Sequence, residues 1–210
     1  MRYTGQALKR FEDPRLVKGE GLFIDDIKLP GMLHAVVLRS SYAHASIRSV
    51  DISAALKLRG VVSVITCADI PDTMKLLPVY RMSREIFGDL SDVLLHPVLA
   101  EDKVYYVGQP IAVLVAENRY VAQDALELIE VDYDPIEPII DPLEALKGDA
   151  EPIHAELGSN IAMRFDNGGG DWEKAVEQSD RVVGQRYEVQ RLAPVPMETR
   201  GIVADYRSEE

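Results

Sequence analysis

Residues 103–134 read KVYYVGQPIAVLVAENRYVAQDALELIEVDYD, and this stretch decides the fold class. Valine, tyrosine and isoleucine are frequent in residues 103–107 and 111–116, and such side chains favour β-strands. Gly-Gln-Pro at 108–110 separates the two runs and is typical of a turn. The pattern therefore predicts two strands joined by a turn.

A helix and another strand follow this pair. Asn118 is a suitable N-cap for a helix over residues 119–128, because its side-chain oxygen can accept a hydrogen bond from the first turn. The apolar residues of this segment recur on one face of the helix. Residues 130–134 return to a strand pattern, which Pro135 closes. This mixture of strands and helix predicts the α+β fold class.

The segment that precedes this unit has a similar mixture. Residues 32–39 and 61–66 are apolar runs rich in strand formers. Between them, Ser53 can cap a short helix over residues 54–58. Residues 70–95 are interrupted by prolines and a glycine and have no clear period, so we expect a long excursion with one helical turn.

A change in composition follows the strand at 130–134. Each proline has a restricted φ and lacks an N–H donor, and such prolines favour an extended connector. Four of them fall close together, namely Pro135, Pro138, Pro142 and Pro152. We therefore divide the chain into a first domain at 1–138, a connector at 139–158 and the start of a second domain at 159–210.

The segment after the connector contains further short elements. Residues 160–165 predict a strand, and a glycine-rich turn follows it. Asp171 is a suitable N-cap for a helix over residues 172–178. Polar and apolar residues then alternate over 181–190 and 201–206, which predicts two more strands.

Composition and charge exclude several classes of protein. The chain has 47% hydrophobic and 28% charged residues, which is ordinary for a globular protein, and a formal charge of −12. Nucleic-acid binding needs a clustered basic face, which this balance does not provide. No run reaches the roughly 18 apolar residues that a membrane-spanning helix requires. A single cysteine, Cys67, is compatible with a reducing compartment, so we expect a cytoplasmic protein.

Residues that could carry chemistry are few and isolated. The histidines are not spaced as metal ligands, so we expect core or turn histidines with satisfied nitrogens; they are His34, His44, His96 and His154. Gln109 either occupies a simple hairpin turn or lies at a domain interface near the pocket. For Glu198, an ion pair with Arg200 or a neighbour is favoured over acid–base chemistry, because a lone carboxylate lacks a partner to tune its pKa.

The order of several motifs is more specific than any one of them. The motifs are RFEDPRLVKG at 10–19, FIDDIKLPGMLH at 23–34, RSSYAHASI at 39–47, GVVSVITCADIP at 60–71, LAEDKV at 99–104, VGQPIA at 107–112 and APVPMETRG at 193–201. Together they resemble the large subunit of molybdenum hydroxylases, the family of xanthine dehydrogenase, aldehyde oxidase and aerobic carbon monoxide dehydrogenase. Ser41 stands where the family usually has proline, and Cys67 where it usually has glycine.

The resemblance implies an α/β-hammerhead domain followed by the first elements of the molybdopterin-binding domain. It implies that the complete enzyme holds molybdenum on a pterin cofactor, with 2Fe-2S clusters and FAD on partner subunits. The family's cofactor loops and glutamate base are expected beyond residue 210. The resemblance therefore assigns no catalytic, cofactor-binding or metal-binding residue to this chain. Gln109 and Glu198 match family motifs and are expected as interface or pocket-edge residues.

Two functions are open on this basis. The first is the N-terminal portion of the molybdenum subunit of a carbon monoxide, aldehyde or xanthine dehydrogenase-type oxidoreductase. Such a chain is expected to be inactive alone and to need the remaining part of that subunit, an iron–sulfur subunit and an FAD subunit. The alternative is a stand-alone hammerhead module for protein interaction or assembly, without enzyme activity. We also expect self-association, because the strands predicted within 181–206 need partners.

Overall fold

The computed structural model describes residues 3–78, 95–161 and 168–207. These residues belong to two compact units. One unit spans Leu33–Gly170, and the other joins Met1–Met32 with Asp171–Glu210.

Short strands and helices are mixed along the chain, and this mixture confirms the predicted α+β class. The strands are β1 (His34–Arg39), β2 (Ala45–Asp51), β3 (Val61–Thr66), β4 (Leu76–Pro78), β5 (Leu95–Pro97), β6 (Lys103–Val104), β7 (Pro110–Ala116) and β8 (Glu130–Pro135). The helices are α1 (Asp13–Val17), α2 (Ser53–Lys57), α3 (Arg119–Leu126), α4 (Pro142–Ala145) and α5 (Trp172–Glu177). Turns of 3₁₀ helix lie at Ile24–Asp26, Cys67–Asp69, Asp72–Met74 and Ala155–Leu157.

The first sheet of the Leu33–Gly170 unit places β7 between β1 and β3, and both pairs are antiparallel. Leu114 lies at its centre, opposite Val36 on one side and Val64 on the other. No residue of β7 is exposed, so both faces of this strand are covered, which explains why it is apolar almost throughout. The core around it consists of Ala55, Val64, Ala112, Leu114, Ala116, Ala122, Ala125 and Ile129.

The two helices of this sheet begin in different ways. In α3, Asn118 Oδ1 accepts a hydrogen bond from Val121 N at 2.9 Å, so the predicted N-cap is confirmed. In α2, Ser53 is the first helical residue and makes no cap. Its backbone N–H donates to Asp51 Oδ1 at 2.8 Å. The prediction that Ser53 caps this helix was wrong, because the carboxylate of Asp51 at the end of β2 satisfies the free N–H instead.

The second sheet has the order β6–β2–β8, again with antiparallel pairs. Its core consists of Ala45, Ala100, Val104 and Ile111. Strand β2 was not predicted from the sequence. A register shift between Ile47 and Ser49 breaks the two-residue alternation that identifies a strand.

Residues 105–109 carry the chain from the second sheet to the first. A hairpin would pair β6 with β7, but β6 pairs with β2, and β7 pairs with β1 and β3. The hairpin predicted around Gln109 was therefore wrong. Ile111, at the start of β7, packs into the core of the second sheet, so the crossing joins the two cores.

The proline-rich connector is ordered where the structure describes it. Asp141 Oδ1 accepts a hydrogen bond from Leu143 N at 2.8 Å and caps α4. Asn160 Oδ1 accepts from Ile153 N at 2.8 Å, while Asn160 Nδ2 donates to Glu151 O at 3.0 Å and to Ala145 O at 3.3 Å. One amide side chain therefore ties together three points of the connector.

The other unit has less secondary structure in its described residues. Asp171 Oδ1 accepts a hydrogen bond from Lys174 N at 3.0 Å, which confirms the N-cap predicted for α5. Residues 181–190 and 201–206 form no strand in the described residues 168–207, so both strand predictions were wrong. The physical reason is that alternation alone does not make a strand, because its backbone donors and acceptors need a paired neighbour.

Two other predictions fall partly outside the described residues. Of the strand predicted at 160–165, only residues 160 and 161 are described. Of the excursion predicted at 70–95, residues 79–94 lie outside the described residues. Its described ends contain the 3₁₀ turn at Asp72–Met74 and the antiparallel pair of β4 with β5. Among the described helices, none is long and apolar enough to cross a membrane.

Candidate functional site

Gln109 lies in the crossing between the two sheets and is almost completely buried, with 1% of its surface exposed. Its side-chain Oε1 accepts a hydrogen bond from Tyr105 N at 2.7 Å. Its backbone N–H donates to Tyr106 O at 3.2 Å and closes a tight turn. The side chain thus satisfies a backbone donor that belongs to neither sheet, and Gln109 holds the crossing in shape.

The loop after β1 is hydrogen-bonded to the same crossing. Ser40 N donates to Gln109 O at 2.9 Å, and Gly108 N donates to Ser40 O at 2.8 Å. Arg39 Nη1 donates to Gly108 O at 2.8 Å. Gly108 has a φ of 90°, a conformation that favours glycine. The motifs at 39–47 and 107–112 are therefore in direct contact in the folded chain.

Ser40 also positions a pair of tyrosines. Its hydroxyl donates to Tyr42 O at 2.9 Å and accepts from Tyr42 N at 3.0 Å. The rings of Tyr42 and Tyr133 lie with their centroids 4.8 Å apart and their planes inclined at 44°. Burial raises the pKa of Tyr133, and its hydrogen bond with Ser40 acts in the opposite direction.

A groove of about 260 Å³ adjoins Tyr42, and His44 forms part of its wall. His44 Nε2 is buried and has no hydrogen-bond partner within the described part of the chain. Burial lowers the pKa of His44, the charge of Lys103 lowers it further, and a hydrogen bond with the backbone of Glu137 opposes both. The prediction of satisfied histidine nitrogens was therefore wrong for His44.

The ring of Tyr105 contacts two histidine rings. His44 stacks with it at a centroid distance of 5.7 Å and an interplanar angle of 29°. His154 stacks on it at 4.3 Å and 25°. Since Gln109 Oε1 binds Tyr105 N, the crossing and this stack are directly connected.

Glu198 belongs to the other compact unit, where a shallow pocket of about 360 Å³ is lined by Phe23, Ile24, Asp25 and residues 197–201. Glu198 Oε1 accepts a hydrogen bond from Ile24 N at 3.1 Å. Within the described residues, Glu198 forms no ion pair with Arg200, contrary to the prediction. The free N–H at the start of the Ile24–Asp26 turn is the partner instead, as expected for a donor without an intrahelical acceptor.

The described residues offer no ligand set for a metal-bearing cofactor. Within residues 3–78, 95–161 and 168–207, no three side chains of His, Cys, Asp or Glu are grouped closely enough to hold a metal ion. Cys67 is 5% exposed, and burial raises the pKa of its thiol, which disfavours the thiolate form that binds metals. These residues do not by themselves fit such a group, so no catalytic step is assigned to them.

Sequence analysis missed several residues that organise this region. Ser40 and His44 lie in the motif RSSYAHASI, so the motif itself was the available signal. Asn160 carried no signal, because its three partners come together only when the connector folds. The role of Tyr105 as the centre of a stack depends on His44 and His154, which are distant in sequence.

Two three-stranded sheets, connected through residues 105–109, form the main part of the Leu33–Gly170 unit. The family model for the α/β hammerhead domain of aldehyde oxidase and xanthine dehydrogenase matches residues 18–137. A model for the molybdopterin cofactor-binding domain matches residues 153–210. The chain therefore belongs to the aldehyde oxidase and xanthine dehydrogenase family. Because the second match continues beyond the hammerhead domain, the stand-alone module is not favoured.

Several similar proteins of this family are named as subunits of larger enzymes. The 6-hydroxypseudooxynicotine dehydrogenase complex subunit gamma of Paenarthrobacter nicotinovorans is 38% identical over 203 residues, which is 96% of this chain and 25% of that protein. The carbon monoxide dehydrogenase large chain of Afipia carboxidovorans is 38% identical over 213 residues, covering 95% of this chain and 25% of that protein. This chain therefore spans about a quarter of the length of these relatives.

A solved structure supports the same fold. Reconstituted carbon monoxide dehydrogenase from Oligotropha carboxidovorans superposes with a TM-score of 0.60 and 44% sequence identity. The superposition covers 70% of this chain and 17% of that chain.

Proposed function

We propose that this chain is a scaffold portion of the molybdenum subunit of an oxidoreductase that oxidises carbon monoxide, an aldehyde or an aromatic heterocycle. The observation that carries the proposal is the order of the two family matches, with the hammerhead domain at 18–137 and the cofactor-binding domain at 153–210. The names of the relatives, which include carbon monoxide dehydrogenase and nicotine 6-hydroxylase, support this range of substrates.

In this proposal Gln109 and Glu198 position other parts of the subunit. Gln109 holds the crossing between two sheets through its hydrogen bond to Tyr105 N at 2.7 Å. Glu198 fastens the segment 197–201 to Ile24 N at 3.1 Å. Both would support an interface or a pocket edge, and neither touches the reacting atoms. The isolated chain would then oxidise no substrate.

The proposal includes the cofactors and partners of the complete enzyme. The molybdenum–pterin cofactor would bind where the remaining part of the subunit completes the cofactor-binding domain, and 2Fe-2S and FAD would lie on partner subunits. The domain boundaries are proposed as 1–138, 139–158 and 159–210. We propose a cytoplasmic location and no nucleic-acid partner, and self-association of the chain when it is studied alone.

Residues 181–190 expose several large hydrophobic side chains, and these suggest where the rest of the subunit would pack. Val183 is 78% exposed and Tyr187 is 80% exposed, although both are large hydrophobic residues. Apolar side chains of this size are usually covered when a partner is present. Val183→Asp should therefore weaken assembly. Val62→Asp is the matched control, because Val62 is also exposed, at 53%, but lies on strand β3 of the other unit.

The experiment is to recover tagged chain from its native cells and to analyse the recovered material for molybdenum, iron and flavin. The proposal expects co-purification with a molybdenum-containing partner, lower recovery with Val183→Asp and unchanged recovery with Val62→Asp. Recovery of the chain alone and free of metal would refute it. Oxidation of carbon monoxide, benzaldehyde or xanthine by the purified isolated chain would refute the scaffold role.

A further inference from the structure

The stack of His44, Tyr105 and His154 joins two parts of the Leu33–Gly170 unit. Tyr105 follows β6, and His44 precedes β2, so both lie at the end of the second sheet. His154 comes from the connector. Tyr105 stacks with both histidines, at centroid distances of 5.7 Å to His44 and 4.3 Å to His154 and with interplanar angles of 29° and 25°.

The connector around His154 is ordered by its own hydrogen bonds. Asn160 accepts from Ile153 N at 2.8 Å and donates to Glu151 O at 3.0 Å, which fixes the backbone on both sides of the histidine. The backbone conformation of the connector around His154 is therefore held by these hydrogen bonds, and the stack only has to keep this segment against the second sheet. Loss of the stack would release this shaped segment from the sheet.

His44 is the sensitive member of the stack. Its imidazole makes a hydrogen bond with the backbone of Glu137, while its Nε2 is buried without a partner in the described residues. A proton added at Nε2 would have no acceptor, and a buried unpaired donor is costly. The titratable and charged groups that act on His44 are Lys103 of β6, and His154 and Glu151 of the connector.

We propose that His44, Tyr105 and His154 form a protonation-sensitive clasp that holds the connector on the second sheet. While the His44 imidazole is neutral, the three rings stack and the connector stays in place. Protonation of His44 brings a positive charge near Lys103 and places a donor where the described residues offer no acceptor. The clasp then opens, and the connector separates from the sheet.

The sign of the pH dependence follows from the direction of the shift. The pKa of His44 in the folded chain is lowered below its ordinary value of 6.5, mainly by burial. The stabilisation by the clasp is therefore fully present above pH 6.5 and is lost as the pH falls through the pKa of the folded state. Between pH 6.5 and the pKa of His44 in the folded chain, the equilibrium constant for opening of the clasp increases by up to about tenfold for each unit by which the pH falls.

The test uses the full chain and two measurements. Imidazole NMR signals report the pKa of His44, and amide hydrogen exchange of Ile153, corrected for the intrinsic rate at each pH, reports opening of the connector. In the unmodified chain, His44 should titrate below 6.5, and the protection of Ile153 should fall on acidification. His44→Phe keeps a ring but cannot take a proton, so its protection should not depend on pH.

Further variants separate the clasp from general destabilisation. Tyr105→Leu and His154→Ala should move the pKa of His44 back towards 6.5. His96→Gln is the control, because His96 is exposed and lies edge-on to Tyr106 instead, at 6.2 Å. The proposal is overturned if His44 in the unmodified chain titrates at its ordinary value. It is equally overturned if protection of Ile153 is independent of pH in the unmodified chain, or remains equally pH-dependent in His44→Phe.

Discussion

Replacement of Gln109 by leucine should destabilise the Leu33–Gly170 unit by about 2 kcal/mol, because a buried donor that loses its acceptor costs roughly 1–3 kcal/mol. The donor is Tyr105 N, which lies 2.7 Å from Gln109 Oε1. Leucine has nearly the volume of glutamine, so the change removes the acceptor without opening a large cavity. Gln109 is 1% exposed, so water does not readily replace the lost bond.

The measurement is urea unfolding of the full chain followed by circular dichroism. With a slope of about 2 kcal/mol per M, a loss of 2 kcal/mol lowers the midpoint by about 1 M. Gln123→Leu is the matched control, because it makes the same exchange at an exposed position of α3. An exposed substitution of this kind should change the free energy of unfolding by no more than about 0.5 kcal/mol.

The reasoning fails if the two leucine variants unfold at the same urea concentration. In that case the hydrogen bond to Tyr105 N would not hold the crossing, and the proposed positioning role of Gln109 would have no energetic basis. A change in slope instead of midpoint would indicate a different unfolded or native ensemble, and would also contradict the expected result.

Three other substitutions test separate features. Leu114→Ala should lower the free energy of unfolding, measured in urea, by about 2–5 kcal/mol, because Leu114 is fully buried at the centre of the first sheet. A loss no larger than that of a substitution at an exposed position would contradict this packing. Asn118→Ala should cost about 1 kcal/mol and Asn118→Gly only a few tenths, since the cap to Val121 N is lost; equal costs would argue against capping. Glu198→Ala should speed amide exchange at Ile24 several-fold, and Glu198→Gln, which keeps an oxygen acceptor, should speed it less. An unchanged exchange rate in Glu198→Ala would show that the carboxylate does not protect this amide.

Two of the motifs in this chain make hydrogen bonds to segments that are distant in sequence. The motifs at 39–47 and 107–112 are separate in sequence, and the hydrogen bonds between Ser40 and the backbone of Gly108 and Gln109 bring them together. The motif at 193–201 meets the segment at Ile24 through Glu198. Residues that resemble family motifs therefore serve here to join segments.

The sequence by itself determined the elements that depend on neighbouring residues. Strand β7 followed from a continuous apolar run, and the caps Asn118 and Asp171 followed from a side chain that reaches a backbone donor three residues ahead. Such interactions form within one turn of chain, so their signals are local. The family could also be recognised, because it rests on the order of motifs and requires no geometry.

Only the tertiary structure decided how these elements pair. The sequence predicted a hairpin around Gln109, but β6 and β7 belong to different sheets because each finds its partners elsewhere in the chain. Strand β2 escaped notice because its irregular register is set by its pairing with β8. Residues 181–190 alternate like a strand yet form none in the described part of their unit, since pairing requires a partner that alternation cannot provide. The stack of His44, Tyr105 and His154 likewise depends on contacts between distant segments, which local patterns do not encode.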